Sequence, residues 1–539
     1  NAWLDGHYEN SCPTLLSGDL SSSNLLITAP AGRGKTALLV RWIEQLHTDW
    51  SLVFIPVSIR AETNQALTFY QAFAARLAEI LGEALPEPRA DPAAYYKDKV
   101  IDYLDRIGKG SKNCLVVIDG LDEARGWKMD TTVLPVEASP RLKIVISARE
   151  LAGDNESQNW LDRLGWTPPL SSALTLQVQP LSREGIADVL AKMEFPIGPL
   201  SKDVDIIDEL YRLTDEGDSL VLHFYTNDLL KKGDEAARLK PTDLRKLEPG
   251  FGAYIKRWLD EQKAEWKSSG TSLDEDLVDA IFAVLASALG PLKLPELEEL
   301  ATRILPGNRI FSVRTIEPLR RFIVGDGKEN GYALAHPKLA SFLQRDYFAE
   351  SRVLRDSQIA FVTWMREVVL SLNNGRRLPK DTPTYALLFY TQHLSMMPPD
   401  TALEHYRELV ENGWRKAWEN QESGFQGFPR DIELAARAFR TAVERNPDQL
   451  QKPRTGLGAL IRCALCLSSI RSAGLGATGE VLAEFLRSRL VTPKQALYLA
   501  QLKEDKNAGE AIGAIIELLP IELRLEAYAS AIEINNPQT

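Results

Sequence analysis

The sequence predicts an α/β domain, a parallel sheet with helices on both faces, followed by a long helical region that one strand pair interrupts. Three observations predict it. From residue 24 to residue 147, short apolar runs alternate with segments of helical spacing. One of those runs, 114–118, is fully apolar, as strands buried in a parallel sheet are, and 142–147 reads as a further strand. After about residue 176 the strand pattern largely stops and helical spacing takes over.

The elements follow in order. Residues 1–23 are polar and irregular, and 21–23 read as a loop. Residues 25–28 form the first strand, 29–34 a loop, and 35–47 a helix with Leu38, Leu39, Trp42 and Leu46 on one face. A strand at 52–59 and a helix at 65–81 come next. A linker at 86–92 leads to a helix at 95–107, then to the strands 114–118 and 142–147. Segments 182–193, 204–213 and 219–230 read as a small helical bundle. Helices at 274–289, 294–304 and 313–322 precede a strand pair, 322–324 and 332–334, around the turn 325–331. Helices followed by a two-stranded ribbon predict a winged-helix domain. Beyond Ala349 the chain reads helical to its end. Segments 435–447 and 496–532 carry the alanine-rich spacing of stacked helical repeats, without a strict period.

Composition narrows the function classes. A chain of 539 residues holds roughly three to five domains. A net charge of −11 argues against a general nucleic-acid binder, and segment 274–343 shows no dense Lys/Arg face. Four cysteines make no disulfide framework in so long a chain, which suits a reducing compartment. Cys463 and Cys466 form a C-x-x-C inside an apolar helical run and read as buried structural residues. No apolar run approaches the roughly 18–20 residues that cross a bilayer, and no signal peptide is visible, so a cytoplasmic location without membrane contact is expected. The chain begins at Asn1 without methionine, and residues 532–539 do not resemble a domain end. Flanking segments are therefore expected on both sides.

Three segments carry chemistry. Ala29-Pro30-Ala31-Gly32-Arg33-Gly34-Lys35-Thr36 fits the P-loop pattern G-x-x-x-x-G-K-[ST], with Ala29 for the first glycine. Glycines let backbone N–H groups turn toward phosphate, and the helix that follows adds its N-terminal dipole. Lys35 brings charge to the β- and γ-phosphates, and Thr36 offers a hydroxyl to Mg²⁺. Ala31, Gly32, Arg33, Gly34, Lys35, Thr36 and Ala37 are thus the candidate phosphate-binding residues. The second segment is a buried strand ending in Asp119-Gly120-Leu121-Asp122-Glu123. Asp119 is expected to hold Mg²⁺ with Thr36. Asp122 and Glu123 either orient or deprotonate the attacking water, or merely cap the next helix. The third is Ile144–Arg149, where Arg149 is expected at the γ-phosphate.

Together these segments resemble the NACHT branch of the STAND signalling NTPases, relatives of animal NLR and plant resistance proteins. The likeness rests first on Asp119-Gly120-Leu121-Asp122-Glu123, with its acidic pair displaced from the metal aspartate. Residues 176–181 look like the family's lead into its first helical domain. Glu216-Gly217-Asp218-Ser219-Leu220 matches a family segment in which proline, packed near the adenine, usually stands where Ser219 is. Gly290-Pro291-Leu292 and Arg321-Phe322-Ile323 resemble the winged helix of bacterial members. His336-Pro337-Lys338 aligns with the family's winged-helix histidine motif, whose histidine contacts the β-phosphate of ADP in the resting state. A plain structural histidine is the other reading of His336. Trp414, Trp418 and Gly427-Phe428-Pro429-Arg430-Asp431 are similar to the helical segment that follows; packing is the default for these aromatic residues.

The resemblance implies a linker at 1–23, a NACHT domain at 24–175, a helical domain at 176–240 and a winged-helix domain at 241–350. A helical linker domain at 351–450 and the start of a repeat region at 451–539 complete it. It further implies a slow ATPase switch with ATP, ADP and Mg²⁺ as ligands. At rest it binds ADP; a trigger felt by C-terminal repeats lets ATP in, and a homo-oligomer then activates an N-terminal effector domain or protein. In bacteria such switches serve anti-phage defence or programmed cell death. Three other readings compete: an AAA+-like mechanical ATPase, a DNA-binding STAND regulator, and a scaffold that binds nucleotide without hydrolysing it. The first usually carries glutamate directly after the metal aspartate, where Gly120 stands here.

Overall fold

The computed structural model describes residues 24–44, 50–85, 92–129, 131–135, 139–150, 157–167, 173–268, 275–305, 311, 313–422, 427–452, 454–488, 491–501, 503 and 505–534. The expected linkers at 1–23 and 86–91 and the helix end at 45–47 lie outside them.

Five strands form one parallel sheet: β1 (Asn24–Thr28), β2 (Ser51–Pro56), β3 (Cys114–Asp119), β4 (Leu142–Ala148) and β5 (Leu174–Gln177). Their spatial order is β2-β3-β4-β1-β5. The three central strands are buried at every position, which is why their sequences lack polar alternation. Period-two geometry still sorts their side chains. Leu25, Ile27, Leu115, Val117 and Val145 meet the helix Lys35–Glu44 through Leu38, Leu39 and Trp42. Leu26, Val116, Ile118, Ile144 and Ile146 face the helices Ala66–Leu81 and Pro92–Lys109 on the other side. Each such apolar side chain contributes roughly 1.5–3 kcal/mol on burial. This is the expected α/β P-loop NTPase fold.

The sheet departs from the sequence reading at both edges. β2 ends at Pro56 rather than 59, because the Ser58 hydroxyl accepts the N–H groups of Arg60 (3.1 Å) and Ala61 (3.3 Å) and turns the chain. β5 pairs with β1 and crosses the boundary expected at residue 175. It is a short, exposed edge strand, so its residues carry no buried-strand pattern.

The rest is helical. Helices Arg183–Lys192, Val204–Leu213 and Ser219–Lys231 form the expected bundle. Helices Glu275–Ser287 and Leu294–Ile304, and the shorter turns Val313–Ile316 and Glu317–Leu319, lead to an antiparallel ribbon of β6 (Ile323–Val324) and β7 (Ala333–Leu334). Leu292 bridges to Tyr332 as a third ribbon position. This is the element order of a winged helix. Among the described residues every later element, from Pro337–Phe342 to Ile521–Ile534, is helical. One apolar core runs from Leu181 to Cys463, so the bundle, the winged-helix unit and the helices behind it pack as one body; residues 482–531 form a separate core. Cys463 is buried within the first of these as a free thiol.

Candidate functional site

The P-loop leaves β1 at the carboxyl edge of the sheet, where open α/β sheets bind ligands. Gly32 sits at φ +87°, a conformation that side chains rarely adopt. A Cβ there would also stand 3.2 Å from Leu220 and 3.3 Å from Lys338. The loop is thus covered by two later segments of the chain. Lys35 Nζ donates to the carbonyls of Ala29 (2.9 Å) and Pro30 (3.3 Å). Burial lowers its pKa, an effect that the nearby carboxylate of Asp122 opposes most.

Beside the loop, Thr36 Oγ1 donates to Asp119 Oδ2 at 2.7 Å. The Ser147 hydroxyl donates to the other oxygen of Asp119 and accepts the Gly120 N–H at 2.9 Å. A hydroxyl and a carboxylate suit a hard, oxygen-seeking cation such as Mg²⁺, whose remaining ligands are waters and phosphate oxygens. No group of three or more metal-binding side chains occurs among the described residues, and a site of this kind needs none. Gly120 has φ +80°, and a Cβ there would meet the Val57 carbonyl at 3.1 Å. The position after Asp119 therefore resists any carboxylate.

The acidic pair does two different things. Asp122 accepts from the Arg149 N–H (2.8 Å) and pairs with Arg149 Nε (2.8 Å), fixing that guanidinium. Glu123 lies 3.5 Å from Arg149, the closest ion pair it makes among the described residues. Burial pushes its carboxyl up to about 7, partly offset by Arg149. Neither residue caps a long helix; both belong to the three-residue turn Leu121–Glu123.

The winged-helix unit closes the space above. A cavity of about 500 Å³ lies between the P-loop, the ends of β2 and β3, and residues 285–290 and 333–340. Ala31, Gly32, Gly34, Lys35, Thr36, Ala37, Asp119, Asp122, Glu123, Arg149 and His336 all line it. Arg33 does not; its Nη1 is buried elsewhere with no hydrogen-bond partner among the described residues. His336 Nδ1 accepts the Lys338 N–H at 3.0 Å, so the neutral ring carries its proton on Nε2. Burial, aided by Arg149 and Lys338, lowers its pKa to about 3. Lys338 Nζ pairs with Asp218 at 2.6 Å, and Asp218 caps the helix Ser219–Lys231 by accepting from Leu220 and Val221, both at 3.1 Å. At the same helix end the Leu220 N–H (3.0 Å) and Ser219 Oγ (3.2 Å) donate to the Gly32 carbonyl.

Sequence reasoning missed several lining residues. Arg60 follows β2, Arg125 follows the Leu121–Glu123 turn, and Leu285, Ala288 and Gly290 come from the winged-helix unit. Nothing local marks them, because sheet order and domain closure bring them to the site. Ser147 had a signal: it is a polar residue at the carboxyl end of a buried strand.

No protein-family model and no curated protein matches the chain. Solved structures give distant likenesses. A Walker-type ATPase of Pyrococcus abyssi is 16% identical, covering 61% of this chain and 93% of that one, with a TM-score of 0.30. A STAND protein with a tetratricopeptide repeat sensor from Pyrococcus horikoshii is 13% identical, covering 95% and 74%, with a TM-score of 0.33. The Orc1 protein of Aeropyrum pernix, solved in complex with DNA, is 17% identical, covering 65% and 93%, with a TM-score of 0.30. At these scores the likeness decides neither family nor activity. Among the described residues no helix is long and apolar enough to cross a membrane.

Proposed function

We propose that this chain is an ATP/ADP-dependent switch of the NACHT/STAND class with slow ATPase activity. The observation that carries the reading is that His336 and the P-loop line one cavity, closed between the sheet and the winged-helix unit. Backbone N–H groups of residues 31–37, Arg33 included, cradle the phosphates, and Lys35 turns from its loop carbonyls to them. Thr36 and Asp119 would hold Mg²⁺, which when bound neutralises developing phosphate charge. Glu123 accepts the proton of the attacking water, its raised pKa matching that task. Asp122 holds Arg149 toward the γ-phosphate. His336 donates Nε2–H to the β-phosphate of ADP and so ties the winged-helix unit to the diphosphate state.

On this reading ADP keeps the protein closed. ATP, admitted when a trigger acts on the C-terminal helices, lets the chain form a homo-oligomer that activates an N-terminal effector, as in bacterial anti-phage defence or programmed cell death. Two states differing a hundredfold in ligand preference need about 2.7 kcal/mol of differential binding. Lys35, Arg149 and His336 supply it from the charge difference between di- and triphosphate.

The test begins with the purified resting protein. Denaturation should release ADP, identified by mass spectrometry. His336→Ala should then speed ADP release and raise the oligomeric fraction without nucleotide exchange. An empty resting site, or an unchanged ADP off-rate in the variant, would sink the switch.

A further inference from the structure

We propose that Arg125 reads the terminal phosphate of a bound triphosphate and thereby sets the cavity's preference for tri- over diphosphate. This rests on the nucleotide-switch reading above.

Position is the first argument. Along the carboxyl edge the sheet order β1, β4, β3, β2 sets out the P-loop, Arg149, the Asp119–Glu123 turn and the Arg60 loop in that sequence. A phosphate chain anchored at the P-loop therefore extends toward the β3 side, and Arg125 lines the cavity just past Glu123.

Charge is the second. Four charged groups of the cavity floor, Lys35, Arg149, Asp119 and Asp122, are already engaged. Lys35 is held by two carbonyls, Asp122 by Arg149, and Asp119 by Thr36 and Ser147. The Arg125 guanidinium makes no hydrogen bond or ion pair among the described residues; the carboxylate whose charge acts on it is that of Glu123. A permanent cation beside a cavity, with no committed carboxylate, is matched by an anion that arrives with the ligand. The γ-phosphate is the part that distinguishes triphosphate from diphosphate.

Anchorage is the third. The Arg125 N–H donates to the Asn64 carbonyl at 3.0 Å, which also accepts from Trp127 Nε1 at 2.9 Å. Buried Asn64 donates through Nδ2 to the Leu289 carbonyl at 3.4 Å. The Leu289 N–H donates to the Tyr385 hydroxyl (2.9 Å), which pairs with His393 Nε2 (3.0 Å). The backbone that carries Arg125 is thus fastened to the winged-helix unit and to the helix Thr384–Ser395. A pull on its side chain is felt where the two halves of the molecule meet.

The experiment is a calorimetric titration of the full chain with Mg²⁺–ADP and with a non-hydrolysable Mg²⁺–ATP analogue. Arg125→Ala should lose roughly tenfold or more in analogue affinity, the effect of one charge-assisted hydrogen bond, with ADP affinity within about twofold of wild type. Arg125→Lys should recover part of the loss, and Arg125→Gln serves if alanine disturbs folding. Equal losses for both nucleotides, or none for either, would overturn the proposal. Failure of the wild-type chain to bind either nucleotide would instead overturn the switch reading, as would a Lys35→Ala variant that binds both normally.

Discussion

At the scale of single residues, two carboxylates four positions apart are treated differently by their surroundings. Asp119 receives two hydroxyl donors, whereas Glu123 is half-buried with only a 3.5 Å approach from Arg149. Its pKa of about 7 makes a pH prediction. A general base acts when deprotonated, so turnover should rise with pH, reach half its limit near the pKa and level off about one unit above it. Glu123→Gln should lower turnover by roughly 10²–10⁴-fold, with ATP binding intact. Steady-state hydrolysis from pH 5.5 to 9 checks both, and a flat profile removes Glu123 as the base. His336 adds no titration of its own across that span, since it stays neutral well below it. Lys35, Thr36 and Asp119 were legible in the sequence because each belongs to a short motif at a strand end. Arg60 and Arg125 were not, because their meeting with Lys35 depends on which strand lies beside which.

At the scale of elements, the N-terminus of the helix Ser219–Lys231 is the clasp on the P-loop. Its two donors to the Gly32 carbonyl lie on the same first turn that Asp218 caps. The sequence marked Ser219 as a departure in a base-binding segment. In the structure its hydroxyl contacts the loop itself, a bond that proline cannot make. Asp218 both caps the helix and pairs with Lys338, and variants separate the two roles. Asp218→Ala should weaken ADP binding by roughly five- to tenfold, because a lost cap costs about 1 kcal/mol and the ion pair goes with it. Asp218→Asn keeps the cap, so it should match Lys338→Ala, with a loss of about threefold or less for a partly exposed pair. ADP affinities of the three variants decide it; equal losses in all three would assign the clasp to charge alone. β5 illustrates the opposite kind of legibility. Its pairing to β1 buries little of its own surface, so no hydrophobic period announced it.

At the scale of the whole molecule, the core that runs from Leu181 to Cys463 makes the winged-helix unit and its neighbours one lever above the sheet. The helical class of this half was readable from its spacing, but its internal ties were not. Trp414 and Trp418 looked like plain packing residues, and both donate indole N–H groups to the fully buried Asp431, at 2.9 and 2.8 Å. Their aromatic pattern is visible in sequence, whereas the shared carboxylate depends on how the helices Asn412–Glu422 and Gly427–Arg445 cross. Besides the Lys338–Asp218 pair, Arg321 fastens the winged-helix unit to the bundle. Its guanidinium pairs with Asp228, donates to the Phe224 carbonyl at 3.0 Å and lies over the rings of Phe224 and Tyr254. Tyr254, on the helix Phe251–Ser268, donates to the other oxygen of Asp228 at 2.5 Å, so one carboxylate ties Arg321 at the start of the ribbon to that helix and to the bundle helix Ser219–Lys231. Removing Arg321 leaves that carboxylate with a single donor, at a cost of roughly 1–3 kcal/mol once its partial exposure is allowed for. If closure depends on this joint, Arg321→Ala loosens the lever without touching the cavity, because Arg321 does not line it. ADP release should then quicken by roughly five- to a hundredfold, and the oligomeric fraction should rise in sedimentation velocity runs. An unchanged release rate with a normal sedimentation profile would mean that the latch is held at His336 and the Ser219 clasp alone.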